Sequence, residues 1–209
     1  MAGAVAALLV LVLGGAGVYL ARFWEPEPPV LGTLPPLTMV DQEGREFPLE
    51  RTRGKVVVLG LVYIHCPDIC PLITAKMRAV QGEVASAGLD NRVVFLTVTV
   101  DPQRDTPAVL RHYATLHRLD LRIWSLLTGP PDTITALTRA LGFYVEFVDA
   151  QGRPLEEVRG DTAYYVVHSD RFYVVDREGR VRAAPPGSQS NVKEVAGLVK
   201  KLARQGGAL

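Results

Sequence analysis

The chain predicts an α/β fold, a mixed β-sheet with helices on both faces, and three observations carry that prediction. Two continuous apolar runs, Lys55 to Ile64 and Val93 to Val100, have the length and composition of strands covered on both sides. Each is followed by a segment with apolar residues at helical spacing. The order then closes on a hairpin and a last helix, so strands and helices alternate before a β-β-α ending. With 48% hydrophobic and 22% charged residues in 209, the composition suits one domain with an ordinary core plus an appendage.

The appendage comes first, as residues 1–24. Ala2 to Ala21 is apolar and uncharged. As a helix, at about 1.5 Å per residue, it would span roughly 30 Å, the depth of a bilayer's hydrocarbon core. Tyr19 and Trp24 stand near its end, where amphipathic rings favour the interface. An uncleaved transmembrane anchor is therefore expected over a cleaved signal, whose basic start and A-x-A site are both missing. Arg22 after the span argues mildly for a cytoplasmic domain, but the signal-like start favours export, so the domain is expected on the extracytoplasmic, periplasmic side of the cell membrane. Residues 25–36 are Pro-rich and read as a semi-rigid spacer, leaving 37–209 as the domain.

Within the domain, Leu37 to Phe47 reads as a hairpin turned at Gly44. The strand Lys55 to Ile64 leads through the cysteine segment into a helix from about Leu72 to Ala87, with Ile73, Met77, Val80 and Val84 on one face. After the strand Val93 to Val100, Asp105 or Thr106 can cap a helix that starts near Pro107 and carries Leu110, Tyr113 and Leu116. Trp124 to Leu127 is a short strand, Asp132 to Leu141 a helix, and Phe143 to Val148 a strand. Phe172 to Val175 and Val181 to Ala183 form the hairpin around Glu178-Gly179, and Val192 to Ala203 is the last helix. A paired-cysteine turn between a strand and a helix, set in this order, points to a thioredoxin-like fold.

The net charge of +1 argues against a nucleic-acid or other polyanion partner, and two cysteines are too few for a disulfide scaffold. Both stand in Tyr63-Ile64-His65-Cys66-Pro67-Asp68-Ile69-Cys70-Pro71. At a helix start they lie about one turn apart, and the helix N-terminus lowers the pKa of at least one thiol. Such a pair is either a redox dithiol or a clip for a soft ion such as Cu(I). Three intervening residues, one more than in the usual redox motif, leave room for a metal. An added imidazole would make the site acceptable to Cu(II) as well. Of four histidines, His65 is aimed away by its adjacency to Cys66, while His112 and His117 read as solvated. His168 precedes the Phe172 strand, where a side chain can reach the sulfurs. Asp101 and Arg104 read as a loop-ordering ion pair, and Tyr63, Tyr164 and Tyr165 as packing residues. Lys193, Lys200, Lys201 and Arg204 read as the solvated face of the last helix.

The cysteine segment, Val100-Asp101-Pro102-Gln103-Arg104-Asp105-Thr106-Pro107, and His168-Ser169 followed by a strand together resemble the Sco/SenC/PrrC family over roughly Leu37 to Ala203. The resemblance implies a membrane-tethered thioredoxin-like domain with Cys66, Cys70 and His168 as copper ligands. It implies a metallochaperone, primarily a metal-binding assembly factor, for the binuclear copper centre of cytochrome c oxidase. The implied partners are the copper-bearing oxidase subunit and a second periplasmic copper carrier. The alternative is a thiol–disulfide oxidoreductase in which Cys66 attacks and Cys70 resolves, keeping the oxidase cysteines reduced. The chain departs from the family at Val167, where Asp is usual, and at Ile64, often Thr; the first removes a carboxylate that could orient the imidazole. A peroxiredoxin is disfavoured, because Gly60-Leu61-Val62-Tyr63 does not supply that family's context before the cysteine.

Overall fold

Seven consecutive buried residues, Val56–Val62, form the strand at the centre of the molecule, β4. The structure is a computed structural model that describes residues 27–66, 68–156, 158 and 163–205. The expected anchor at 1–24 lies outside these residues, and among the described residues no helix is long and apolar enough to cross a membrane.

The strands are β1 (Gly32–Thr33), β2 (Thr38–Asp41), β3 (Glu46–Pro48), β4, β5 (Val93–Thr99), β6 (Trp124–Thr128), β7 (Val145–Val148), β8 (Tyr165–His168), β9 (Phe172–Val175) and β10 (Arg180–Ala183). The helices are α1 (Ile69–Ser86), α2 (Pro107–Leu116), α3 (Pro131–Ala140) and α4 (Val192–Arg204). Eight strands make one sheet in the order β1-β10-β9-β4-β5-β6-β2-β3, and β7 and β8 pair apart from it. β4, β5 and β6 run parallel, while β9 and β2 flank them antiparallel. This is the expected mixed sheet of a thioredoxin-like fold.

Helices cover both faces. Gly60 of β4 points at α1, where an added Cβ would stand 2.6 Å from Met77 Sδ, so only glycine lets the helix approach this closely. The neighbouring pair Leu59 and Tyr173 points the other way, and the Tyr173 hydroxyl donates to the Leu141 carbonyl just past α3. The apolar stripe of α1, Ile73, Met77, Val80 and Val84, is fully buried as its spacing requires. Thr106 caps α2 by accepting from Val109 N–H. Leu116 at the end of α2 is exposed rather than in the core.

Two segments differ from expectation. The spacer 25–36 is not separate from the sheet along its whole length. Gly32–Thr33 pairs with β10, Leu34 is buried in the core, and the buried Arg182 binds the Pro28 carbonyl. Its prolines mask a two-residue edge strand that no periodicity can reveal. The strand expected at Phe143 to Val148 exists as β7, but its partner is β8, a strand not foreseen because Tyr165–His168 is too short and too mixed to read alone.

Candidate metal centre

β4 ends at Val62, the chain turns, and α1 begins at Ile69, so Cys66 and Cys70 sit at the carboxyl end of the parallel strands. Cys70 is fully buried and Cys66 nearly so, at 9% exposure; both are free thiols. The Cys70 S–H hydrogen bond, followed by N–H groups of Cys70, Asp68 and Ile69 at the helix start, pulls the Cys66 thiol down to about 4 against the cost of burial. The same hydrogen bond, together with burial, pushes Cys70 up. In the metal-free pair Cys66 is the thiolate and Cys70 the thiol.

His168 closes the site from the far side. Its Nε2 lies 3.2 Å from Cys70 Sγ, and its Nδ1 is 2.9 Å from the Ser169 carbonyl. A carbonyl can only accept, so Nδ1 carries the proton and Nε2 presents a lone pair to the sulfur. The single Cys70 proton therefore lies between two acceptors, Nε2 and the Cys66 sulfur. A soft cation in its place would satisfy all three at once, releasing the proton. The donor atoms of Cys66, Cys70 and His168 all fall within 4.8 Å of one another, close to twice a metal–sulfur bond of about 2.3 Å.

The imidazole is held on several sides. Its ring stacks on Phe143, with centroids 5.7 Å apart, and meets the edge of Tyr63 at 5.8 Å. Ser169 exchanges hydrogen bonds with Tyr144, donating its N–H to that carbonyl and accepting the Tyr144 N–H at Oγ. The next residue, Asp170, accepts from Ser188 N and Oγ. That clamp passes over Gly187, where a Cβ would come within 2.7 Å of Ile73 in α1 and 2.6 Å of Asp170 Oδ1. The histidine loop is thus packed against the helix that carries Cys70.

Asp105 performs the matching task at the cysteine turn. Fully buried, it accepts from Ile64 N–H at 3.0 Å and Thr99 Oγ1 at 2.5 Å, which fixes the exit of β4. Burial pushes its pKa up against these hydrogen bonds. His65 reaches toward it, Nδ1 3.6 Å from Oδ1, and stays out of the donor cluster as expected. The Asp101–Arg104 pair is present at 2.5 Å, and the Tyr164 hydroxyl joins it by donating to Asp101. His112 is exposed, while His117 is partly covered against Tyr113, which with Arg78 lowers its pKa.

One reading of a side chain is extended and two are corrected. Tyr63 does more than pack: its buried phenol lies beside the Cys66 thiolate, and burial and that charge push its pKa up to about 12. Tyr165 is not a packing residue, being 55% exposed. Val167 stands on the outer face of β8, opposite His168 in the strand's alternation, so a carboxylate there would not orient the ring. The Ser169 carbonyl does so instead, as a backbone acceptor invisible to residue-type reasoning. Lys200 of the terminal basic set is tied to Glu83 of α1 at 3.0 Å.

Fold and site together define a thioredoxin-like domain with a two-thiol, one-imidazole centre at the strand–helix junction. The SCO1/SenC family model matches residues 31–204, and the chain belongs to that family. It is 27% identical over 146 residues to the SCO1 protein homolog of Bacillus subtilis, spanning 70% of this chain and 69% of the relative. The crystal structure of a SCO1/SenC family lipoprotein from Bacillus anthracis superposes with a TM-score of 0.73 at 26% identity, over 86% of this chain and all of that one. Yeast Sco1 solved with copper bound gives 0.66 at 28% identity, over 87% and 91% of the two chains.

Proposed function

We propose that this protein is a copper metallochaperone that loads the binuclear copper centre of cytochrome c oxidase, with Cys66, Cys70 and His168 holding the ion as cargo. The observation that carries the reading is the convergence of two sulfurs and the Nε2 lone pair on one point. Two thiolates select Cu(I), and the imidazole adds tolerance for Cu(II). Three donors fall one short of the closed four-ligand shell of a structural zinc, as suits an ion that must be handed on. Membership of the SCO1/SenC family and the copper-bound yeast neighbour support the choice of metal. The partner in this reading is the copper-bearing oxidase subunit, with a second periplasmic carrier upstream. Residues 1–24 anchor the domain on the periplasmic side of the membrane.

Titration of the reduced protein tests it. One copper per chain is expected, with His168→Ala abolishing the sulfur-to-Cu(II) absorption while Cu(I) stays bound by the thiolates. Copper no higher than background, or Cu(II) held by His168→Ala as by wild type, would overturn the assignment. The Cys66 thiolate with a thiol behind it also favours a second reading as a thiol–disulfide reductase. There Cys66 attacks a partner disulfide, Cys70 displaces it, and the chain is left oxidised as two partner thiols form. That activity would survive His168→Ala, whereas Cu(II) binding would not.

A further inference from the structure

A cleft of about 440 Å³, mostly apolar but edged by Arg139, Glu156 and Gln103, opens between α3 and the β7–β8 hairpin. Ile134 and Thr138 of α3 line it on one side and Val145 and Phe147 of β7 on the other, with Phe143 between. Such a volume and lining are those of a binding pocket. Two structural links join it to the metal site. The Phe143 ring that lines the cleft is the ring on which His168 stacks. Val145, also in its wall, is the register partner of His168 across the hairpin. That hairpin stands outside the main sheet.

The hairpin is also where an acceptor must come. Cys70 and Cys66 are buried, and His168 is the only half-buried member of the donor set, so an ion leaves on its side. Tyr144 lines the cleft and is 53% exposed, and on the outer face Val167 and Tyr165 are 47% and 55% exposed. The strand that bears the exit ligand therefore also presents apolar surface on the hairpin's outer face, opposite the face on which Val145 and Phe147 line the cleft. Apolar side chains seated in pockets are the usual anchors of an interface.

We infer that the cleft is a socket for a large apolar side chain of the polypeptide that receives copper, and that its filling reaches His168 through Phe143. The inference rests on the copper-delivery reading and supplies its docking site. An anchor pressed against Phe143 shifts the ring that fixes the imidazole, which couples arrival of the acceptor to loosening of one ligand.

Thr135→Trp, at an exposed position of α3 that lines the cleft, and Tyr144→Ala test this on the full chain, with thermal melts to confirm folding. The probe is the soluble copper-bearing domain of cytochrome c oxidase. Both variants should bind one copper per chain; Tyr144→Ala keeps the backbone groups that pair with Ser169 and should keep the wild-type Cu(II) spectrum, whereas the Thr135→Trp indole, filling the cleft against Phe143, should itself shift that spectrum. Each should associate with the copper-free acceptor at least about tenfold more weakly and deliver copper correspondingly slowly. In the metal-free wild type, the acceptor should move the His168 ring nitrogen resonances, and in Thr135→Trp it should not. Wild-type association in both variants, or an unmoved His168 in wild type, overturns the inference and leaves copper delivery standing. Copper bound but never delivered by wild type overturns delivery, while copper-free association still decides the socket. Self-association blocked by Thr135→Trp would assign the cleft to a second copy and overturn the acceptor.

Discussion

The charge state of Cys66 can be read from the pH dependence of its alkylation. With its pKa pulled down to about 4, Cys66 is already thiolate throughout pH 5 to 8. An ordinary thiol near 8.5 is only about 0.3% thiolate at pH 6, so its rate rises nearly tenfold per pH unit. The greater thiolate fraction does not translate into a proportionate rate, because nucleophilicity falls with pKa at a Brønsted slope of about 0.4–0.5. Over some 4.5 units that costs about a hundredfold, leaving Cys66 only a few times faster than a free thiol at pH 6. The distinguishing signal is therefore the shape. Iodoacetamide labelling of the reduced, metal-free protein, followed by mass spectrometry, should give one modified cysteine, Cys66, at a rate nearly flat from pH 5 to 8. Cys70, fully buried and protonated, should not react. Cys70→Ala removes the leading stabilising hydrogen bond and should restore part of the slope. A tenfold rise per unit across the range in wild type would refute the thiolate–thiol arrangement.

Three more outcomes follow from the same contacts. Asp105→Ala leaves the half-buried Ile64 N–H and the buried Thr99 O–H without their acceptor, so a loss of about 1–3 kcal/mol is expected in urea unfolding, with weakened copper binding as the β4 exit loosens; a change below about 0.5 kcal/mol would show that the carboxylate holds nothing. Gly60→Ala drives a methyl into Met77 Sδ and should cost about 1–3 kcal/mol, each kcal/mol lowering the melting midpoint by about 2–4 °C; an unchanged midpoint would mean that α1 can retreat freely. The reduced protein should gain stability over the Cys66→Ala/Cys70→Ala double variant as pH rises from about 4 to about 8.5, because there the unfolded chain binds the Cys66 proton that the folded chain has released; above about 8.5 the sign reverses, since folded Cys70 keeps a proton that the unfolded chain loses, and a difference independent of pH would refute both shifts.

The sequence alone determined the parts that depend on local pattern. Lys55 to Ile64 reads as a doubly covered strand because it is apolar without interruption, and its core forms β4. The helix after the cysteines reads from Ile73, Met77, Val80 and Val84, and the structure only moves its start forward to Ile69. Cys66, Cys70 and His168 were legible because thiols at a helix start and a histidine before a strand are rare, chemically pointed placements. Their meeting was an expectation of the fold and not a property of any segment.

Tertiary structure decided what no residue type announces. β1 and β8 are too short to show a period and exist only because β10 and β7 pair with them. Asp105 and Thr106 were equal candidates for a helix cap; packing buried the first under β4 and left the second to cap α2. The acceptor that sets the imidazole's proton is a backbone carbonyl, and every residue has one. The contact between Phe143, just before β7, and His168 in β8 joins segments far apart in the chain. Periodicity and residue chemistry act over a few positions, whereas a metal centre needs donors at hydrogen-bonding distance from chain segments 98 residues apart, and only the packed core sets that distance.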